Sequence, residues 1–384
     1  MRFIHTADWH IGRFLHNLSL LDEQAHVLDQ FCRIVEDSRP HAVVIAGDVY
    51  DRAIPPADAV RLLSEVVSRI AMDSRIPLIV IAGNHDSPDR LGFGSALLDR
   101  QNLFLRGPLS QPMEPVVIDA EGERVNFYPI PYAEPAVVRE RFGVSEAHSH
   151  DAAMQAVIAR IREQGMAASR RTVAVAHCFV AGGAESESER PLSVGGVGQV
   201  DSSRFAGFDY VALGHLHRPQ AVGANIHYAG SLLKYSFSEA SHPKSITLVE
   251  LPDQGGRRVE RIPLAPRHDL RIVEGRLPDL LQGPKAGESR EDYLLVRLLD
   301  KEALLEPMGK LREIYPNVLH LERPGLFKEG ALADVGRDQL RRGEQELFAS
   351  FFEQMTREPL TDAERQVFAD VVEALRRSER ESPP

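Results

Sequence analysis

The sequence predicts an α/β fold in which sheets and helices form layers, with a smaller α+β unit and further helices following the main body. Three observations predict it. Short apolar runs rich in β-branched residues recur through the first 250 positions, at Phe3 to Ile4, Val43 to Ala46, Leu78 to Ala82, Val173 to Ala176 and Tyr210 to Leu213. Runs of this length flanked by polar or glycine residues read as buried strands. Amphipathic helical spacing lies between them, as in Leu21, Ala25, Leu28, Cys32 and Val35, and in Val60, Leu63, Val67 and Ile70. Such alternation is the signature of α/β architecture. Further strand-like stretches at Val116 to Ile118, Val125 to Tyr128, Ile226 to Tyr228 and Ile246 to Leu251 come in pairs without long helices between them. Part of the sheet system is therefore expected to be antiparallel, and the whole a layered sandwich.

Beyond Leu251 the composition changes to PDQGGRRVERIPLAPRHDL, dense in Pro, Gly and Arg, which marks a boundary or an edge strand. The main domain is placed at 1–262. A smaller α+β unit at 263–330 has its strand at Tyr293 to Leu298 and its helix from Lys301 to Tyr315. Helices fill 331–378, with apolar stripes at Leu347, Phe348, Phe351, Phe352 and Met355 and at Val367, Phe368, Val371, Val372 and Leu375. Thr361 with Glu364 forms a capping box for the second of them, after the Pro359 break. Residues 379–384 are expected to be a disordered tail.

The composition excludes several classes. No apolar run approaches the ~18 residues of a membrane span, and MRFIHTADWH lacks the apolar core and cleavage site of a secretory signal. Cys32 and Cys178 alone make no disulfide framework or thiolate metal site, which suits a reducing cytoplasm. The net charge of −11 offers no general basic field for a polyanion. A nucleic-acid substrate then needs local help, from bound cations or a basic partner.

The strand-like runs end in residues of metal-ligand type: Asp8-Trp9-His10, Gly47-Asp48, Gly83-Asn84-His85-Asp86, His177, and Gly214-His215-Leu216-His217. Loops at the carboxyl ends of strands form the ligand crevice of α/β sheets, so groups 200 residues apart are able to converge there. Singly, each has a plainer reading: Gly47-Asp48 and Gly83-Asn84 as turns, His177 as a hydrogen-bonded core residue. Gly214-His215-Leu216-His217 is sharper, because alternate residues of an extended segment point the same way. Five such coincidences in order favour one site. Carboxylate and amide oxygens combined with imidazoles suit Mn²⁺, Fe²⁺ or Zn²⁺. Two such ions roughly 3.5 to 4 Å apart activate a bridging water and hold both oxygens of an in-line displacement at phosphorus.

The blocks DWH, GDVYD, GNHD, the histidine of AHC and GHLH resemble those of the calcineurin-like metallophosphoesterase superfamily. Within it, DWHIGR at 8–13, SESERPLSVGG at 186–196 and AGSLLKYSFSEA at 229–240 are similar to the nuclease subunits that work with an ATPase related to structural-maintenance-of-chromosomes (SMC) proteins. The resemblance covers nearly the whole chain, most strongly to about 250. It implies a layered αββα sandwich with a small DNA-contacting cap and C-terminal helices that dock the ATPase. It implies two divalent ions, Mn²⁺ first and Fe²⁺ or Zn²⁺ as alternatives. Asp8, His10 and His217 would bind one, Asn84, His177 and His215 the other, and Asp48 would bridge them. His85 would donate a proton to the leaving oxygen, with Asp86 orienting its ring. It further implies 3'-to-5' trimming of double-stranded DNA, cleavage of hairpins or single strands, roles in replication, repair and recombination, and a homodimer within a heterotetramer. The location implied is the cytoplasm, at the nucleoid. The helices near Leu21 to Val35 and Val60 to Ile70 are candidate dimer surfaces.

Some points stay open. Val49-Tyr50-Asp51-Arg52 carries no histidine where some relatives have a second catalytic one, leaving the roles of Asp51 and Arg52 unassigned. The stretch AGGAESESERPLSVGGVG after His177 is either a loop over the site or a surface excursion. GDVYDR is similar to a protein-phosphatase motif, although Ala53 replaces its glycine. The alternatives are thus a phosphatase or cyclic-nucleotide phosphodiesterase, or a non-catalytic scaffold.

Overall fold

A computed structural model of the chain describes residues 1–120, 122–166, 171–190, 192, 198–252, 255–300, 302, 304–324, 348–349, 352 and 359–381. In chain order the main strands are β1 (Arg2–Thr6), β2 (Ala42–Ala46), β3 (Leu78–Ile81), β4 (Leu103–Arg106), β5 (Val116–Ala120), β6 (Glu123–Ile130), β7 (Arg171–His177), β8 (Tyr210–Gly214), β9 (Gln220–Val222), β10 (Ile226–Tyr228), β11 (Ser245–Glu250) and β12 (Arg258–Pro263). Helices α1 (Leu21–Ser38) and α2 (Ala57–Ser68) lie among the first strands, and α3 (Pro135–Phe142) and α4 (His150–Glu163) precede β7. The strands form two six-stranded sheets, in the orders β12-β11-β1-β2-β3-β4 and β9-β10-β8-β7-β6-β5.

Apolar character on both faces of the strands dictates the layering. Along β2, Val43 and Ile45 point one way and Val44 and Ala46 the other, and all are buried. The first pair packs with Val27, Leu28, Phe31 and Val35 of α1. The second joins Phe3, Ile79 and Ile81 against Val125, Phe127, Val173, Val175, Tyr210 and Ala212 of the other sheet. Beyond that sheet, Val157, Ile158 and Ile161 of α4 cover Ala174, Ala176, Val211 and Leu213. Period-two alternation thus serves two cores per sheet, and the result is the αββα sandwich.

The centres of both sheets are parallel, with strand ends in register: Thr6 lies opposite Ile45 and Ala46 opposite Ile81 in one, and His177 opposite Gly214 in the other. Parallel pairing brings the carboxyl ends to one edge, which is why motifs far apart in sequence meet. Antiparallel pairing enters toward the edges as expected, β5 with β6 and β11 with both β1 and β12, while the β4 edge stays parallel to β3.

Two compact units divide the chain, one of 1–297 with 305–322 and one of 298–304 with 323–384. The first includes most of a small three-stranded sheet, β13 (Leu270–Gly275), β14 (Tyr293–Leu298) and β15 (Val318–Glu322), and helix α5 (Pro307–Ile314). That helix is shorter than the span from Lys301 expected, because Pro307 lacks the N–H of a helix interior and occupies the first turn. In the second unit, α6 (Asp362–Glu381) opens on the expected capping box, the Thr361 N–H donating to Glu364 Oε2 at 2.8 Å. It also runs through Glu381, so residues 379–381 of the expected tail continue the helix, while 382–384 fall outside the described residues. The rings of Phe348 and Phe368 stack at 3.9 Å. Leu347, Phe351 and Met355 of the other stripe fall outside the described residues.

Phe127 is fully buried and meets the edge of Phe3 at 5.3 Å, centroid to centroid, in the core between the sheets. Phe127→Ala is expected to cost about 3–5 kcal/mol, read as a lowered urea midpoint with unchanged far-ultraviolet dichroism.

Candidate metal centre

Each motif turns sharply just past its strand, and three glycines permit the turns. A Cβ on Gly47 would lie 2.3 Å from His177 Nδ1, one on Gly83 2.2 Å from Asp48 Oδ1, and one on Gly214 2.1 Å from the Ala46 carbonyl oxygen. No side chain fits at those separations, so the residue before Asp48, Asn84 and His215 has to be glycine. Asp8, His10, Asp48 and His215 themselves adopt positive φ, at 53°, 44°, 48° and 103°. For non-glycine residues this costs of order 1–3 kcal/mol each and persists only under constraint. Backbone bonds supply part of that constraint: Asp8 N–H donates to Gly47 C=O at 3.1 Å, and His10 N–H to Asp48 C=O at 3.0 Å.

The turns bring all eight residues of the expected site together. Asp8, His10 and His217 form one group whose ligand atoms lie within 4.8 Å of one another, and Asp8, Asp48 and His177 form another. His10 Nε2 and His217 Nε2 are 3.0 Å apart. His177 Nε2 lies 2.9 Å from Asn84 Oδ1 and 3.4 Å from Asp48 Oδ2, and His215 Nδ1 lies 3.3 Å from the same amide oxygen. His85 stands beside them, its ring 4.7 Å from that of His10 and its N–H donating to Asp48 Oδ1 at 2.8 Å. Asp8, His10, Asp48, His177, His215 and His217 are buried, whereas Asn84 and His85 are half-buried at the mouth.

Hydrogen bonding tests whether these residues suit cations. His177 Nδ1 donates to the Ala46 carbonyl at 2.9 Å and its Nε2 faces the oxygens of Asn84 and Asp48, so without metal this nitrogen carries a proton whose place a cation would take. His217 Nδ1 faces Ser188 Oγ at 2.7 Å and Glu239 Oε1 at 3.3 Å, which assigns its proton there and turns a bare Nε2 toward His10. Asp8 Oδ2 and His10 Nδ1 are buried without a hydrogen-bond partner among the described residues. Converging acceptors without donors are costly in a dry interior unless a proton or cation joins them. The donor set therefore fits divalent ions.

The electrostatics agree. Burial pushes the Asp8 carboxyl well above the usual range, with Asp48 adding to it and His177 opposing. Asp48 stays well below that range despite burial, because His177, His10 and His85 surround it. Burial holds His10 and His215 neutral, well below an ordinary imidazole. Burial opposes a charge on His177 too, yet Asp48, Asp8 and the Ala46 carbonyl outweigh it and raise that imidazole to about 9.

Asp86 corrects an expectation. Its carboxylate accepts the backbone N–H groups of Gly83 at 2.9 Å, Tyr50 at 2.9 Å and Val49 at 3.1 Å, and so ties two of the turns together. The ring of His85 is held instead by the Asp51 carbonyl, 2.8 Å from its Nδ1. The turn folds the Asp86 side chain under the loop, where three donors outcompete the half-buried imidazole of His85. Burial and Asp48 raise its carboxyl to about 7, against those bonds.

Sequence reasoning missed a supporting layer. Gln24 of α1 is buried, accepts from Gly12 N–H at 2.9 Å and donates to the His10 carbonyl at 2.7 Å. Glu239 is fully buried, ion-paired with Lys244, and bonded to Ser188. Lys244 also donates to the His217 carbonyl and to Ser231 Oγ, both at 2.8 Å, while Glu189 accepts the His217 N–H at 2.8 Å. The described part of the stretch after His177 therefore lies at the site rather than away from it. A lysine and a glutamate five apart on an irregular segment have no periodicity to betray burial. Their only signal was inclusion of Glu239 in the AGSLLKYSFSEA block. Asp51 joins His10 and His85 in a third potential ligand group and pairs with Arg13 at 3.1 Å, while Arg52 is exposed.

Residues 1–219 match the calcineurin-like phosphoesterase model, and 266–356 match SbcD_C, described as the type 5 capsule protein repressor C-terminal domain. The chain is 36% identical over 377 residues to the SbcD subunit of the nuclease SbcCD of Staphylococcus saprophyticus subsp. saprophyticus, covering 98% of each. This chain belongs to the SbcD family of calcineurin-like phosphoesterases. Two solved structures are similar at a TM-score of 0.38 each. TT1561 of Thermus thermophilus is 13% identical and covers 68% of this chain and 98% of its own. GAP50, titled the anchor in the inner membrane complex of Plasmodium, is 12% identical and covers 84% and 96%. Likeness of that degree adds nothing to the family assignment.

Lys244→Met leaves Glu239 buried without its cation and is expected to cost about 3–5 kcal/mol, measured by chemical denaturation. For His177 the folded value of about 9 exceeds the ordinary 6.5, so its contribution is fully present below 6.5 and lost as pH rises through about 9. Chelator-treated protein should accordingly lose stability across that window, and His177→Gln should flatten the profile.

Proposed function

We propose that the chain is a metal-dependent DNA nuclease of two-ion type. The observation that carries this reading is the buried convergence of metal-ligand-type atoms at Asp8, His10, Asp48, His177 and His217, with Asp8 Oδ2 and His10 Nδ1 unpartnered, in a member of a family whose similar relative is named a nuclease subunit. Asp8, His10 and His217 would hold one ion, Asn84, His177 and His215 the second, and Asp48 would serve both. Mn²⁺ is the proposed metal. Such ions supply a nucleophilic water near neutral pH and offset phosphate charge, which answers the net charge of −11.

The residues of the chain do the rest. The backbone turns hold the donors in place before substrate arrives, so little reorganisation accompanies the reaction. With the Nδ1–H tied to the Asp51 carbonyl, His85 presents Nε2 at the mouth and, as the doubly protonated imidazolium, passes the Nε2 proton to the departing sugar oxygen, leaving the neutral ring. Asp86 acts at a distance, by locking the turns that carry Asp48 and Asn84.

The reading extends to 3'-to-5' trimming and hairpin or single-strand cleavage, to a cap at 263–330 that contacts DNA, and to C-terminal helices at 331–378 that dock an SbcC-type SMC-like ATPase. A homodimer within a heterotetramer, working at the nucleoid in the cytoplasm, is part of the same proposal. Among the described residues no helix is long and apolar enough to cross a membrane.

The test is a Mn²⁺-dependent assay on linear and hairpin DNA, with and without the ATPase. His85→Ala should keep both ions by elemental analysis and lose cleavage by about 10²-fold or more. Asp48→Ala should lose both ions. Turnover of small phosphomonoesters alone would overturn DNA as substrate.

A further inference from the structure

A cavity of about 580 Å³ opens directly beside the metal centre, lined by Gly83, Asn84 and Asp86 on one side and by Tyr132, Arg141 and Arg190 on the other. It lies off the cluster of buried imidazoles and is not needed to hold the ions. Its walls combine three features. The first is a fixed aromatic: the Tyr132 backbone N–H donates to the Ala82 carbonyl at 2.9 Å, anchoring its backbone two residues from Asn84, and its hydroxyl donates to Glu134 at 2.6 Å. His150 stacks on the ring at 5.8 Å and 27°, and the His177 ring meets it edge-on at 6.4 Å. The second is apolar wall, from Pro108, Leu109, Val137 and Leu192. The third is a pair of exposed guanidiniums, Arg141 and Arg190, neither of which has a carboxylate salt-bridge partner among the described residues, in a chain of net charge −11.

An aromatic and an apolar wall suit a nucleobase, since every base has a face to stack, and unpaired arginines suit the phosphates that flank it. The cavity also holds Asp86, Asp89 and Glu134. Asp86 is spent on backbone donors and Glu134 on the Tyr132 hydroxyl, so the two arginines, the cationic side chains of the wall, face the exposed Asp89 as the one other carboxylate of the lining. Asn84 is the shared wall, so a nucleotide seated here has its neighbouring phosphodiester at the ions.

We infer that this cavity is a nucleotide subsite, in which Tyr132 packs against the base adjoining the scissile phosphodiester and Arg141 and Arg190 hold the next phosphate of the strand. The inference rests on the nuclease reading and specifies where single-stranded substrate lies. The unpaired state is required, because a base still paired in a duplex cannot leave the stack to enter a side cavity. Tyr132 is a specificity-determining residue here, and the arginines are positioning contacts remote from the bond that breaks.

The experiment uses the full chain loaded with Mn²⁺ and three substrates: a single-stranded oligonucleotide, the p-nitrophenyl ester of thymidine monophosphate, and methyl p-nitrophenyl phosphate, which has no nucleoside. Wild type should prefer the thymidine ester over the methyl ester. Tyr132→Leu should raise the oligonucleotide KM by about tenfold and abolish that preference, with methyl ester turnover and bound metal unchanged. Tyr132→Phe should behave as wild type. Arg141→Ala combined with Arg190→Ala, both at the surface, should raise the oligonucleotide KM and leave methyl ester turnover as in wild type. Unchanged oligonucleotide KM in Tyr132→Leu and in the double arginine variant, with wild type cleaving DNA normally, overturns the subsite alone. A wild type that hydrolyses the methyl ester but no nucleic acid overturns the nuclease reading and the subsite with it.

Discussion

Asp8 and Asp48, two carboxylates buried where the ends of two sheets meet, set the terms for the rest of the structure. Like charges that close in a dry interior repel strongly, and desolvation adds to the penalty. Asp48 is kept ionised by the imidazoles of His177, His10 and His85, while Asp8 is driven toward its neutral form and keeps one oxygen without a partner. Cations resolve that arrangement better than protons do, since an ion accepts several donors at once. The fold must nonetheless hold the cluster together before the ions bind.

It does so with backbone rather than with flexible side chains. Gly47, Gly83 and Gly214 sit where any Cβ would overlap a neighbour, so the strands approach until the turns interlock. Asp86 ties two of those turns through three N–H groups, and Gln24 braces the Trp9-His10 segment from α1. On the far side, Lys244, Glu239, Ser188 and Glu189 grip His217 through both its ring and its backbone. Such a layer fixes which nitrogen of His217 carries the proton, and with it which lone pair faces the ion. The strain of four positive-φ ligand residues is sustained by the same scaffold.

The two sides of the site differ in a way that bears on substrate. Toward Lys244 the cluster is sealed by buried, mutually paired groups. Toward Asn84 and His85 it is open and continues into a cavity with an aromatic wall and unpaired arginines. On the proposed subsite, phosphate would approach from the Asn84 side, where Arg141 and Arg190 stand without carboxylate salt bridges among the described residues despite the acidic balance of the chain. Charge summed over the whole sequence hides this, because 56 acidic residues dilute two well-placed arginines.

The sequence by itself determined the layered α/β architecture and the positions of the ligand-type residues. β-branched runs cannot avoid becoming buried strands, and glycine before Asp48, Asn84 and His215 announces a turn at the strand end. The continuous apolar run Val43 to Ala46 already read as a strand buried among apolar neighbours. Only the tertiary structure decided what each neighbour does. Asp86 follows His85 in sequence yet serves backbone donors of its own turn and of the turn after Asp48, because the bend sends adjacent side chains apart. Glu239 and Lys244, on an irregular segment, become the buried brace of His217 through contacts that no local period encodes. Pairings between residues 20 to 200 positions apart are set by strand register and packing, and those are properties of the folded chain.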